Sequence, residues 1–146
     1  MNIQEISDRI EIKQLVDLFS NYADVKENDK QVKLFTENGV VNIINNHQIV
    51  LTMTGGQELL DTFSKSMAAY SAVFHMSGQQ TVDFIDETHA TGVAYNYVTL
   101  VKTNEDHKTV TVNEGVRYED KYEKVNGKWL IAERNSNFIW QTENIK

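Results

Sequence analysis

The segments Thr109–Glu123 and Lys128–Trp140, joined by Asn126-Gly127, constrain the fold more than any other part of the chain. Along the first, Val110, Val112, Val116, Tyr118 and Tyr122 recur with period two. Thr109, Thr111, Asn113, Arg117, Glu119 and Lys121 take the other face. Successive side chains of a strand point to opposite sides, so this alternation predicts a long strand with one buried face. Asn-Gly tolerates the positive φ of a tight turn and marks a hairpin, while Val125 and Lys128 leave the loop length open. Glu114 interrupts the stripe. A carboxylate on a buried face is costly unless it is paired or faces a cavity holding water or ligand. The pattern therefore predicts a sheet curved around a pocket.

The rest of the chain fits one domain, residues 1–146, with a single core. Its 14 Lys plus Arg against 21 Asp plus Glu give a formal charge of −7. An acidic chain with no basic cluster argues against nucleic acid and against anionic membranes as partners. The absence of cysteine excludes disulfides, thiolate metal sites and a cysteine nucleophile, and fits a reducing cytoplasm. No signal peptide is visible in MNIQEISDRIEIK, and no apolar run approaches membrane-spanning length.

Residues 2–23 read as an amphipathic helix capped by Asn2, with Glu5 three residues on. Ile3, Ile6 and Ile10 lead into Ile12, Leu15, Val16 and Phe19 at helical spacing. After a break at Asp24–Asp29, a short helix is expected from about Asp29 to Phe35, stopped by Asn38-Gly39. Gly39–Ile44 and Gln48–Met53 read as a hairpin around Asn45-Asn46-His47. Thr54 with Gln57 reads as a capping box opening a third helix, whose apolar face is Leu59, Leu60, Phe63, Met67 and Tyr70. Two further strands follow, Val73–Ile85 and Ala90–Lys102, before the opening pair. Three helices and then a meander of four long strands make an α+β domain.

With this order of elements the chain resembles the nuclear transport factor 2-like superfamily, and within it the SnoaL-like branch. That branch contains polyketide cyclases and is similar to scytalone dehydratase and bile-acid dehydratase. Three motifs carry the resemblance: Asp24 followed by Leu34-Phe35; Phe74-His75-Met76-Ser77-Gly78; and Gly127-Lys128-Trp129-Leu130-Ile131-Ala132-Glu133-Arg134, ending at Trp140. It implies a cone-shaped α+β barrel, with three N-terminal helices in the concave face of a curved, mostly antiparallel sheet. It also implies an Asp24–His75 dyad inside the cone. A carboxylate on one imidazole nitrogen fixes the tautomer and leaves the other free to move a proton. Such chemistry needs no cofactor. Arg134 matches an arginine of the bile-acid branch that would hold an anionic group of a ligand. Departures are equally plain. Phe19 stands where the bile-acid dehydratases have a tyrosine, and Ala23 and Ile43 where scytalone dehydratase has tyrosines. Leu100 and Val98 replace a histidine and an aspartate. The substrate of neither enzyme carries over.

Each candidate has a plainer alternative. His75 fits a buried histidine bonded to backbone, and Asp24 fits a cap of the second helix or the end of the first. Glu114 fits either ligand contact or an ion pair with Arg134. Tyr118 fits the pocket wall or core packing, and Asn96 a backbone contact or the pocket. His47, His89 and His107 fall in or beside turns; no histidine pair has metal-ligand spacing, so no metal is expected. The expected activity is that of a lyase or isomerase on a small ring-containing carbonyl compound bound in the cone. Its rival is a domain that kept the fold and only binds or associates. Val93, Tyr95, Tyr97 and Val101, with Trp129, Ile131 and Ile139, are expected on the outer sheet face as the surface of a homodimer.

Overall fold

Asn2 starts the first helix as expected: its Oδ1 accepts the Glu5 backbone N–H at 2.8 Å. In the computed structural model, which describes residues 1–146, helix α1 then runs Ile3–Asp24 and α2 Asn28–Val32. Strands β1 (Phe35–Asn45) and β2 (Gln48–Thr54) precede α3 (Gly56–Ala68). The long strands β3 (Ala72–Phe84), β4 (His89–Thr103), β5 (Thr109–Val125) and β6 (Lys128–Ile145) complete the chain. All six strands form one sheet in the order β2-β1-β6-β5-β4-β3, antiparallel except where β1 runs beside β6. The sheet is strongly curved but not closed. An irregularity at Ser77/Gln80 on β3, and extra residues on β6 at Ile139 and Ala132, opposite Gly115/Val116 and Lys121/Tyr122, each bend it. The three helices lie in its concave face.

Both short hairpins turn on two residues with positive φ. Asn46 and His47 (51° and 64°) join β1 to β2, and Asn126 and Gly127 (51° and 79°) join β5 to β6. That is the twist a two-residue connection requires, and it fixes the loop length that the flanking residues left open.

Four local expectations need correction. The second helix ends at Val32 and Phe35 opens β1, because Leu34 and Phe35 are core residues, 6% and 5% exposed, paired against β6. Thr54 does not cap α3; Gly55 takes that position, and the Thr54 N–H donates to Glu58 instead. Ile3, Ile6 and Ile10 are exposed. Two residues turn a helix by about 200°, so Ile10 and Ile12 face nearly opposite ways, and the buried face is that of Asp8, Ile12, Leu15, Val16 and Phe19. Trp129 and Ile131 are fully buried on the inner face, not the outer one. The bulge that sets Tyr122 opposite Ile131 but Lys121 opposite Glu133 leaves Ala132 unpaired and reverses the alternation there.

Trp129 pins β6 to α1. Its indole N–H donates to Asp8 at 2.9 Å and its backbone N–H to Glu11 at 2.6 Å. Deeper in the sheet, Arg134 forks onto Asp120 through Nε (2.9 Å) and Nη2 (2.8 Å), with both side chains 0% exposed. Tyr122 donates to the same carboxylate at 2.7 Å. Removing one partner of a buried pair leaves an unmatched charge, which costs far more than the pair contributes. Asp120→Ala is therefore expected to destabilise the protein by about 3–5 kcal/mol in urea denaturation. The double variant Asp120→Leu with Arg134→Met should recover most of that loss.

Candidate active site

Helix α1 ends at Asp24, so its carboxylate sits where the helix dipole disfavours an anion. Donors from β3 offset this. The His75 backbone N–H approaches both carboxylate oxygens, at 3.0 and 3.1 Å, and the imidazole Nδ1 lies 2.7 Å from Oδ1. Asp24 does not cap the second helix, which begins after Glu27, but it is the last residue of the first, and its carboxylate reaches β3 as well. Donation from Nδ1 to a carboxylate leaves Nε2 as the unprotonated nitrogen of a neutral ring. The His75 side chain is 9% exposed and lines a cavity of about 120 Å³.

That cavity is mostly apolar. Phe19 and Ala23 of α1, Val41 and Ile43 of β1, Phe63 and Met67 of α3, and Phe138 of β6 form its walls. The Phe19 ring meets those of Phe63 and Tyr118 edge-on at 5.9 and 6.0 Å, which fixes the floor. Tyr118 lines the same space, and burial above all pushes its hydroxyl up to about 12, so it stays a donor at neutral pH. Gln31, Ser66 and Ser136 supply the remaining polar edges. These three did not stand out in the sequence. Ser136 lies directly across from Tyr118, but only through the β5–β6 bulge that a plain alternation would not contain.

Glu114 projects from the same concave face. His75, Val98, Glu114 and Gln141 form one cross-strand row, each directly opposite the next. Glu114 as a residue is 8% exposed, and its carboxyl accepts a hydrogen bond from the Gln141 amide at 2.9 Å. Burial, the largest influence, holds it above the ordinary carboxylate value, against the Gln141 hydrogen bond and the field of His75. Glu114 borders an open groove shared with Asn45, Asn46 and Gln141, and Ile43 and Phe138 line both this groove and the apolar cavity.

Two expected residues lie elsewhere. Arg134 does not reach the cavity and does not pair with Glu114. Asp120 holds its guanidinium, which lies beneath the rings of Tyr118 and Phe19, 3.8 and 4.4 Å from their centroids. Burial blocks an anion-holding role: the Arg134 side chain is 0% exposed, although its Nη1 makes no hydrogen bond. Asn96 is buried beside the site, where its Oδ1 accepts from Ser20 at 3.3 Å, and it is not on the cavity wall. Its Nδ2 has no partner.

Residues 4–135 match the SnoaL-like domain. The chain belongs to the SnoaL-like family. Solved structures of similar shape include a candidate scytalone dehydratase from Novosphingobium aromaticivorans, 20% identical over 97% of this chain and 91% of that one, with a TM-score of 0.85. A hexachlorocyclohexane dehydrochlorinase, LinA type 2, is 14% identical over 99% and 93%, with a TM-score of 0.84. A protein from Kribbella flavida is 19% identical over 94% and 95%, with a TM-score of 0.83. At these identities the likeness shows the fold.

The raised Glu114 carboxyl has a consequence for stability. Between its unfolded and folded values the native state binds more protons than the unfolded chain, so stability falls as pH rises through that window. Below the unfolded value both states are protonated and nothing is lost. Glu114→Gln should therefore match the parent at low pH and become more stable than it as pH rises above the ordinary value of 4.5. Chemical denaturation across pH checks this; a gain independent of pH would contradict it.

Proposed function

We propose that this SnoaL-like protein is a cofactor-independent lyase or isomerase acting on a small ring-containing carbonyl compound. The observation that carries the reading is the 2.7 Å contact between Asp24 and His75 Nδ1, which turns Nε2 to the cavity side. In the dehydratase form of the reaction, Nε2 takes a proton from the carbon next to the carbonyl. The freed electron pair becomes a carbon–carbon double bond as the β-carbon–oxygen bond breaks. The departing hydroxide collects the proton from His75 and leaves as water. Asp24 holds the imidazole in the required tautomer throughout and acts as a positioning residue. In an isomerisation His75 would return the same proton to a different carbon. Dehydration and dehydrochlorination, named for two of the similar structures, are both eliminations, which supports the lyase form.

The size and lining of the cavity support a ring as its occupant. An apolar cavity of roughly 150 Å³ in another protein accommodates benzene, and this one measures about 120 Å³. The same apolar lining favours one rival, a module that binds a ring and does no chemistry. Dehydration of a β-hydroxycyclohexanone to cyclohexenone, followed by absorbance, separates the two. Removing a general base typically costs about 10²–10⁴-fold in rate. His75→Ala should lose turnover by about that factor, and Asp24→Asn should lose at least about tenfold, while both still bind cyclohexenone. Turnover undiminished in His75→Ala would end the proposal, and saturable binding with no turnover in the parent would favour the module.

We further propose a homodimer through the convex face of the sheet. Met76, Tyr97, Gly115 and Trp140 form one cross-strand row there, with Met76, Tyr97 and Trp140 at 58%, 48% and 42% exposed. Gly115 leaves room for the Trp140 indole to lie flat against the strand, since a Cβ there would fall 2.1 Å from Nε1. Sedimentation should give a dimer for the parent and a monomer for Tyr97→Glu. A monomeric parent would contradict this.

A further inference from the structure

Glu114 is not used by the dyad chemistry, and the structure gives it no conventional structural role. It has no cationic partner: the arginine on the neighbouring strand is bound to Asp120. Its one hydrogen bond, from Gln141, engages Oε2. It stands in the same row as His75 with only Val98 between them, so the two side chains rise from one face about 10 Å apart at their backbones. Between and above them, Ile43 and Phe138 form the shared wall of the apolar cavity and the polar groove. A molecule whose ring fills the cavity can extend over that wall into the groove, where Glu114 is the carboxyl it meets. Neither compartment contains a lysine or an arginine.

We propose that Glu114 is the polar end of the ligand site, donating a hydrogen bond to the carbonyl oxygen of an uncharged ring compound and thereby selecting neutral ketones over carboxylates. This rests on the cavity as a ring-binding site but not on turnover. The burial that raises the Glu114 carboxyl favours the neutral, donating form. A carboxylate ligand would lose its hydration in compartments lined by no lysine or arginine, and desolvating an unpaired anion is strongly unfavourable. In the proposed reaction the same contact has a second use. As His75 withdraws the proton, negative charge moves to the carbonyl oxygen, and a donor already placed there stabilises it.

The test compares three probes of one ring size: acetophenone, ethylbenzene and benzoate, titrated calorimetrically into the parent, Glu114→Ala and Glu114→Gln. One hydrogen bond is worth about 1.4 kcal/mol, or about tenfold in affinity. The parent should bind acetophenone about tenfold tighter than ethylbenzene and should bind benzoate most weakly. Glu114→Ala should bind ethylbenzene as the parent does, which shows an intact cavity, and lose the preference for acetophenone. Glu114→Gln should keep the preference, because its amide still donates. A ketone preference that survives Glu114→Ala, one that disappears equally in Glu114→Gln, or benzoate as the tightest probe would each overturn the proposal. These are binding readouts, whereas the lyase reading fails on turnover in His75→Ala, so the two failures are distinguishable.

Discussion

The unbroken register between β4 and β5 is the constraint on which the site depends. From His89 opposite Glu123 to Thr103 opposite Thr109, fifteen consecutive pairs run without a bulge. Every even-numbered residue of both strands therefore faces the helices, and no side chain can change sides without moving all the others. This puts Val98 and Glu114 on one concave row and lets β3 and β6 add His75 and Gln141 at its two ends. The flanking strands carry the irregularities. Their bulges curve the sheet around the helices, while the straight central pair keeps the row in register.

The helices complete what the sheet begins. Asp24 reaches β3 because α1 runs for 22 residues across the concave face and ends at the level of His75. The remaining buried charges each have an opposite charge beside them. Arg134 is matched by Asp120, and Asp8 by Trp129 and Lys124. His75 and Glu114 differ from these: each has one side engaged by the protein and the other turned toward an empty compartment. Buried polar groups left available in this way suit a ligand site better than a core, whose polar atoms are normally paired.

Period-two alternation made β3, β4 and β5 legible in the sequence to within a residue or two, and it marked Glu114 as out of place on its strand. The Asp24–His75 contact was not written in any periodicity, since 51 residues separate the two; it came from a family resemblance. Strand β6 was the hardest to read. Its two bulges each insert one residue, so parity assigns Arg134 to the correct face but Trp129 and Ile131 to the wrong one. A bulge has no strong sequence signal, because it is a property of the pair of strands. Arg134 and Glu114 are not neighbours: Asp120 stands opposite the arginine and Gln141 opposite the carboxylate. Ile3, Ile6 and Ile10 misled for another reason. They repeat at helical spacing on a face of α1 that the sheet does not cover.

In the proposed reaction Asp24 holds His75 with Nδ1 protonated and Nε2 bare toward the cavity. Nitrogen-15 NMR of the imidazole, recorded where the ring is neutral, tests it most directly. A protonated Nδ1 and an unprotonated Nε2 are expected in the parent, with that preference lost in Asp24→Asn. A proton resident on Nε2 in the parent, or a tautomer unchanged by Asp24→Asn, would contradict it.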